Sequence, residues 1–207
     1  MALGNNTYVH DFRGTDELYV AAVTKDNNEV GEGYVTGTVF KLAPTANISK
    51  TTENASATKF YDNAPAFTIN AQGADTLTIE VPALSIANLA AITGKSYDVA
   101  TGAMSDDEGT PPYFALGYRL GLTDGTYRYV WRYKGTFAVP DEEAATKDAG
   151  TDSNGQTLTY TGISTIHKFT KTNDVARALV VDERDNKAVL TTFFDTVTTI
   201  DSLTAKA

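Results

Sequence analysis

Cysteine is absent from the 207-residue chain, and histidine occurs only twice. Without cysteine there are no disulfide bonds and no thiolate metal sites, which is compatible with a reducing compartment. The two histidines, His10 and His167, lie far apart and have no second histidine or cysteine at metal-ligand spacing. Because a zinc site needs such a cluster, we expect no metal and no other cofactor.

Long apolar runs are also missing. No stretch approaches the length of a membrane-spanning helix, and the first residues do not place a basic segment before an apolar one. From the sequence we therefore expect a soluble protein that is made in a cytoplasm and has no membrane association.

The chain lacks the usual catalytic motifs. It has no Gly-x-Ser-x-Gly nucleophile, no phosphate-binding loop and no dinucleotide fingerprint. Carboxylates cluster at residues 106–108 and again at 141–143, but both clusters lie in polar stretches that are typical of solvated loops. A hydrolase would need one carboxylate to be partly buried, so we do not expect an enzyme.

Basic residues are scarce relative to acidic ones. The formal net charge is −9, which argues against a protein that grips nucleic acid, since phosphate binding depends on Lys and Arg. The chain is 42% hydrophobic and 10% aromatic, so it should be globular, with a core for one domain. Its Thr, Val and Tyr, punctuated by Gly, Asn and Asp, predict a mainly β fold.

The most informative segment lies between residues 112 and 147. Aromatic residues alternate there with polar and cationic ones, which is the period of a strand with two different faces. Asp124 and Gly125 predict a two-residue type I′ turn, because Gly adopts positive φ freely. That turn would place Leu122 opposite Tyr127 and so put rings and leucines together in one core: Leu116, Tyr118, Leu120, Leu122, Tyr127, Tyr129, Trp131 and Tyr133.

The other face of this predicted hairpin carries long cations opposite small residues. Arg128, Arg132 and Lys134 would lie over Gly121, Gly117 and Ala115. Such a face is expected to meet water or an acidic neighbour, and we expect these three cations to make subunit contacts.

Around the hairpin the sequence predicts an N-terminal arm over residues 1–16, a single domain over 17–200 and a C-terminal tail over 201–207. A flanking helix is predicted over about 84–93, with Gly94 as its C-terminal cap, and a short helix over about 187–195, where apolar residues recur at helical spacing. Residues 45–63 are polar and predict a long exposed loop or hairpin.

Several blocks, in the same order over residues 17–195, resemble the major tail proteins that build the tail tube of long-tailed bacteriophages. The strongest block runs from Pro112-Tyr113 through Tyr129-Val130-Trp131 to Thr146-Lys147. Supporting blocks are residues 19–26, residues 37–42, Tyr61-Asp62-Asn63, and the helix ending at Gly94 with Tyr97-Asp98 after it. Longer relatives have an additional C-terminal immunoglobulin-like domain; we expect none here, and therefore no surface-adhesion role of the kind that such a domain carries.

The resemblance implies a β-sandwich or barrel-like tail tube fold with one flanking helix. It further implies six copies to a ring, rings stacked into a hollow tube through which DNA passes, and assembly in the host cytoplasm around a tape-measure protein, with tail-terminator or distal tail proteins as other partners. In this family a long loop and the terminal arms bridge rings. The residues expected to make such contacts are Thr45, Asn47, Lys50, Thr52, Asn54 and Lys59.

Two other functions remain open on the sequence. An accessory virion protein or a carbohydrate-binding β-sandwich would expose aromatic residues on a concave face, whereas a core would bury them. Charge favours the tube: six copies would carry about −54, six times −9, and an acidic bore repels passing phosphates.

Overall fold

The computed structural model describes residues 9–143, 146 and 154–206. It is mainly β, as predicted: nine of its strands form one antiparallel sheet, and β6 and β7 form a separate small hairpin. The strands are β1 Phe12–Asp26, β2 Tyr34–Thr36, β3 Phe40–Ala43, β4 Asn47–Tyr61, β5 Ala64–Val81, β6 Tyr97–Asp98, β7 Ala103–Met104, β8 Phe114–Leu122, β9 Tyr127–Phe137, β10 Gln156–Ile163 and β11 Ala178–Asp182.

The main sheet has the order β2-β1-β8-β9-β10-β5-β4, with β3 also paired to β1 and β11 also paired to β9. The sheet is curled, because residues from distant strands share one interior core. Leu18 of β1 and Leu77 of β5 lie in this cluster although three strands separate them. The predicted β-rich, sandwich- or barrel-like class is therefore confirmed.

A second core covers the outer face of the central strands. Tyr129, Trp131 and Tyr133 pack there against Phe169 and Phe193 from the C-terminal quarter of the chain. Trp131 is completely buried, and its indole Nε1 donates a hydrogen bond to the carbonyl of Phe193 at 2.9 Å. The middle of the sheet is thus buried on both faces, which explains why β8 reads as a nearly continuous apolar run. In β9 aromatic residues alternate with Arg128, Arg132 and Lys134, and these cations are paired within the chain.

The pairing of β8 with β9 is confirmed, but the predicted register is wrong by one residue. Tyr127 lies opposite Gly121, not Leu122, and Trp131 lies opposite Gly117. The turn is not type I′: only Gly125 has positive φ, and the loop of residues 123–125 closes with a hydrogen bond from the Leu122 N–H to the Thr126 carbonyl. This geometry is typical of a three-residue hairpin loop with a glycine bulge.

A one-residue difference in pairing turns every side chain of one strand to the opposite face of the sheet relative to its partner strand. The aromatic rings of β9 and the apolar residues of β8 that were predicted to share a core therefore lie on opposite sides of the sheet. Leu116 and Tyr118 belong to the interior core, with Leu120 packed against it and Leu122 also buried. Tyr129, Trp131 and Tyr133 belong to the outer core, with Tyr127 packed against it.

The flanking helix is confirmed. Helix α1, Ile86–Thr93, begins at Ser85, whose side chain accepts a hydrogen bond from the Asn88 N–H, and ends at Gly94 with φ of 72°. Its own residues Leu89, Ala90, Ile92 and Thr93 are buried. Among the described residues, no helix is long and apolar enough to cross a membrane.

The predicted C-terminal helix over 187–195 is wrong. Residues 191–197 form successive turns, with hydrogen bonds such as Phe193 N–H to Leu190 O at 3.2 Å. The Phe193 carbonyl accepts hydrogen bonds from the Trp131 indole and the Thr198 hydroxyl. The β-branched threonines of this segment have low helix propensity. Phe193 and Val197 are nevertheless buried, so the apolar pattern reflected burial rather than a helix.

The two terminal segments are more regular than predicted. Residues 12–16 of the predicted arm begin β1 and pair with β8, and Asp16 accepts two hydrogen bonds from Arg119, at 2.5 and 2.8 Å. Residues 204–206 of the predicted tail pair with residues 187–189. Residues 1–8 and residue 207 lie outside the described part of the chain.

Candidate assembly surface

The longest fully exposed stretch in the described part of the chain lies in the hairpin formed by β4 and β5. Its turn is Asp62-Asn63, and both residues have positive φ (49° and 62°), as a two-residue type I′ turn requires. Toward its root, β5 also pairs with β10, from Asp75 to Val81. Residues 54–72 pair only with each other and are all exposed. We refer to residues 54–72 as the projecting hairpin.

The predicted loop over 45–63 is thus mostly a strand. The prediction that this region is largely exposed was correct, but residues 47–61 form a single fifteen-residue strand, so the region supplies only the first half of the hairpin. Its return strand, β5, has eighteen residues. The Thr, Ser and Asn content obscured the strand because these residues are also common in loops.

The projecting hairpin has two chemically different faces. On one face Ala57 lies opposite Ile69 and Lys59 opposite Phe67, and the Tyr61 and Phe67 rings stack at 6.1 Å. Strand alternation places the remaining members with them. We call this the apolar face, and it consists of Ala55, Ala57, Lys59, Tyr61, Phe67, Ile69 and Ala71.

The opposite face is polar over most of its length. Thr58 and Thr68 lie opposite each other with their hydroxyl oxygens 3.3 Å apart, and Ser56 lies opposite Asn70. Asn54 and Gln72 form the next pair toward the root. We call these six residues the polar face; beyond them Phe60 lies near the turn and is exposed.

Charged side chains secure the root of the hairpin. Asp75, 4% exposed, receives a hydrogen bond from the Thr52 hydroxyl at 2.6 Å and an ion pair from Arg132 on β9 at 2.7 Å. Lys50 lies 3.7 Å from the same carboxylate. Buried polar contacts therefore attach the root of the hairpin to the centre of the sheet.

A second contact secures the root from the other side. Arg177, which precedes β11, donates from Nη2 to the carbonyl of Gln72 and from Nε to the Ser164 hydroxyl at 3.2 Å. Because Gln72 is the last residue of the projecting hairpin, this arginine attaches the hairpin to the segment that follows β10.

The residues predicted to make assembly contacts are distributed along β4 and just before it. Asn47, Lys50, Asn54 and Lys59 are exposed, whereas Thr45 and Thr52 are half-buried. Thr52 and Lys50 belong to the root, Asn54 to the polar face and Lys59 to the apolar face. The sequence interpretation missed Phe67, Ile69 and Ala71, although their alternation with Thr68, Asn70 and Gln72 is a clear strand signal.

The expectation of an open cationic face on β9 is wrong. Arg132 is 9% and Lys134 8% exposed, and both are paired within the chain, Arg132 to Asp75 and Lys134 to Asp26. Arg128 is partly exposed and pairs with Asp182 on β11 at 3.0 Å. These cations hold neighbouring segments of the same chain together. In the observed register the face of β9 that carries them is covered by other parts of the chain, whereas the predicted register left this face open.

Asp26, at the end of β1, joins three segments. Its carboxylate accepts hydrogen bonds from Lys134 at 2.7 Å and from the backbone N–H groups of Ile166 and His167. Burial by itself would raise the pKa of Asp26, but the Lys134 ammonium and the two N–H groups outweigh it and lower the pKa. The carboxylate therefore stays ionised while buried.

The other residues considered for chemistry are separate from one another. His10 lies 3.7 Å from Asp124, whereas His167 is buried beside Phe169. Asp107 accepts a hydrogen bond from the Ser96 N–H in an exposed loop. Within residues 9–143, 146 and 154–206, no group of three His, Cys, Asp or Glu side chains is arranged to hold a metal ion.

Comparison with protein-family models and with curated proteins finds no match for this chain.

Proposed function

We propose that this protein is a structural subunit that assembles with copies of itself into a hollow tube, the tail tube of a long-tailed bacteriophage. The proposal includes six copies to a ring, stacked rings, a channel for DNA, and a location in the virion tail. The observation that supports it best is the projecting hairpin, whose residues contact no other part of the described chain through strand pairing. A lone two-stranded hairpin is marginally stable in water, so this length of ribbon suits a contact with another chain.

The sheet offers a second means of self-association. Strand β4 is the last strand of the sheet and leaves one side unpaired along Asn47–Tyr61. Open edges of this length invite pairing with another chain. In a ring, a neighbouring copy would cover this edge, so the edge would no longer be open to unwanted pairing with other chains.

Most segments that resemble major tail proteins belong to the framework of the fold. The strongest block contains β8 and β9, and the others include parts of β1 and β3, the end of α1 and the turn between β4 and β5. The net charge of −9 suits a channel for DNA, because a wall of the same sign as the phosphates does not retain them.

Electron microscopy of negatively stained, concentrated protein tests the proposal. We expect tubes of uniform width built from stacked rings. Protein that stays monomeric at every concentration, with and without purified tape-measure and distal tail proteins, would contradict it.

A deletion variant tests the role of the hairpin. Residues 54–72 are replaced by a two-residue Asn-Gly turn, which leaves the pairs from Asn47↔Glu80 to Thr52↔Asp75 intact. We expect a folded monomer with an unchanged near-ultraviolet spectrum and no tubes. Tubes of normal width from this variant would exclude the hairpin as an assembly element.

A carbohydrate-binding module remains the second candidate because of one observation. The stacked Tyr61 and Phe67 rings are 62% and 50% exposed, and exposed aromatic faces suit sugar rings. A glycan array that gives no signal, beside tubes in micrographs, would exclude this function. If the protein formed no tubes and bound a glycan, and if Phe67→Ala abolished this binding, the carbohydrate-binding function would be favoured. Such a module could also belong to an accessory virion protein.

A further inference from the structure

We propose that the apolar face of the projecting hairpin is the surface that docks on a second copy of this chain, while the polar face remains in solvent. This inference rests on the proposed function and goes beyond it by assigning different roles to the two faces of one element. It also divides the residues predicted from sequence, since Lys59 lies on the docking face and Asn54 does not.

The first argument is the segregation of side chains. Ile69 and Phe67 are about half exposed and share a face with Ala55, Ala57 and Ala71. The neighbouring Thr68 and Asn70 lie on the other face with Ser56 and Thr58. Phe60, near the turn, is the one large apolar side chain of the projecting hairpin that alternation places on the other side. From residue 54 to 58 and from 67 to 72 the sorting is complete, which a ribbon exposed on both sides does not need and a ribbon buried on one side does.

Charge identifies the occupant as another copy. The projecting hairpin contains one cation, Lys59, and one anion, Asp62, so its formal charge is zero in a chain of −9. Two copies repel each other over most of their acidic surfaces. A neutral apolar face is where two such chains approach at least electrostatic cost. Nucleic acid or an anionic membrane would instead require clustered Lys and Arg.

Size determines how strong this contact is. Residues 54–61 span roughly 27 Å at the rise of a β-strand, and one face of two strands offers on the order of 300 Å². A stable pairwise interface buries about 800 Å² per partner. One hairpin contact is therefore weak, and assembly requires several contacts made together, as in stacked rings. We expect monomers in dilute solution and cooperative assembly at higher concentration.

The sharpest test adds the same charge to adjacent residues on the two faces. Ile69→Lys places an ammonium on the apolar face, and Asn70→Lys places one on the polar face; both positions are exposed and far from the cores. We expect Ile69→Lys to raise the protein concentration needed for assembly by about tenfold or more. We expect Asn70→Lys to assemble like the parent, with both variants keeping the circular dichroism spectrum of the parent.

Single cysteines provide an independent measurement, because the chain has none of its own. The rate of maleimide labelling is compared between dilute and concentrated protein for Phe67→Cys and Thr68→Cys. Docking protects only the first position, so its labelling should slow on concentration while that of Thr68→Cys stays constant.

Sedimentation and microscopy together separate this inference from the proposed function. Self-association that depends on Ile69 but yields no tubes would support docking and overturn the tail tube. Tubes that form equally well in Ile69→Lys and Asn70→Lys would overturn the docking face and leave the tail tube standing. Protein that stays monomeric, with Phe67→Cys labelled equally fast at all concentrations, would overturn both.

Discussion

Arg132 and Asp75 form a buried ion pair that joins the centre of the sheet to the root of the projecting hairpin. The guanidinium Nη1 lies 2.7 Å from the carboxylate, and the two side chains are 10% and 5% exposed. The Tyr118 hydroxyl lies 3.5 Å from Arg132 Nη2, and Thr52 donates to Asp75. This ion pair therefore attaches the root of the hairpin to β9 within the buried part of the sheet.

Removing one partner of this pair should be costly. Asp75→Ala leaves the Arg132 charge buried without its carboxylate, and we expect the free energy of unfolding to fall by about 3–5 kcal/mol. Urea denaturation followed by circular dichroism measures this change.

Two further variants sharpen this measurement. Glu29→Gln removes one partner of the exposed Lys25–Glu29 pair and should leave the unfolding midpoint almost unchanged, since exposed pairs are screened. The double variant Asp75→Leu with Arg132→Met should recover much of the loss, because apolar groups of similar size replace buried pairs well. If Asp75→Ala were as stable as Glu29→Gln, the Arg132–Asp75 ion pair would not be important for stability.

Asp26 should make stability depend on pH in the acid range. Its pKa is lowered in the folded protein, so its contribution is fully present above the unfolded pKa of about 3.9 and is lost as the pH falls toward the folded value. We expect Asp26→Asn to be less stable than the parent at about pH 7, because Lys134 loses its partner. This gap should narrow below about pH 4.

Urea unfolding midpoints of the parent and Asp26→Asn, measured at steps between about pH 7 and about pH 3, check this expectation. A gap that stays constant over the whole range would mean that the Asp26 carboxylate does not couple to folding.

Gly117 should be intolerant of a side chain. A Cβ atom at this position would lie 2.8 Å from the Trp131 ring, which is rigid and completely buried. We expect Gly117→Ala to destabilise the fold by about 1–3 kcal/mol through overpacking. Trp131 is the only tryptophan, so its fluorescence reports both the local displacement and the unfolding midpoint.

Gly37→Ala is the matched control for this change. Its added Cβ would be 3.7 Å from the nearest heavy atom, the Ala22 carbonyl oxygen, which is ordinary contact. If both variants unfolded at the same denaturant concentration with the same fluorescence spectrum, Gly117 would not be packed against Trp131 in solution.

Local sequence signals were sufficient to identify several elements of the fold. The alternation in residues 127–134 predicted β9, and the apolar spacing before Gly94 predicted α1. The Asp-Gly signal correctly placed the central turn but not its type. Asp124 and Gly125 are compatible with both a two-residue and a three-residue loop, and only the latter is present.

The register, the roles of the cations and the form of the 187–195 segment were not predictable from local patterns. A strand that is buried on both faces carries apolar residues in both phases, so its period does not reveal which neighbour each face meets. The residues that each face of β9 contacts are distant in sequence. Phe193 packs against Trp131, Asp75 forms an ion pair with Arg132, and Asp26 forms an ion pair with Lys134.

The sequence by itself determined that the chain is β-rich and acidic, with a central hairpin and one capped helix, because strand alternation, turn residues and net charge are local or summed properties. Tertiary structure decided which side of the sheet each residue faces, which charges are neutralised internally, and that residues 54–72 project as an exposed ribbon with an apolar face. These features depend on the pairing of segments far apart along the chain, and a shift of one residue in that pairing reverses the exposure of a whole strand.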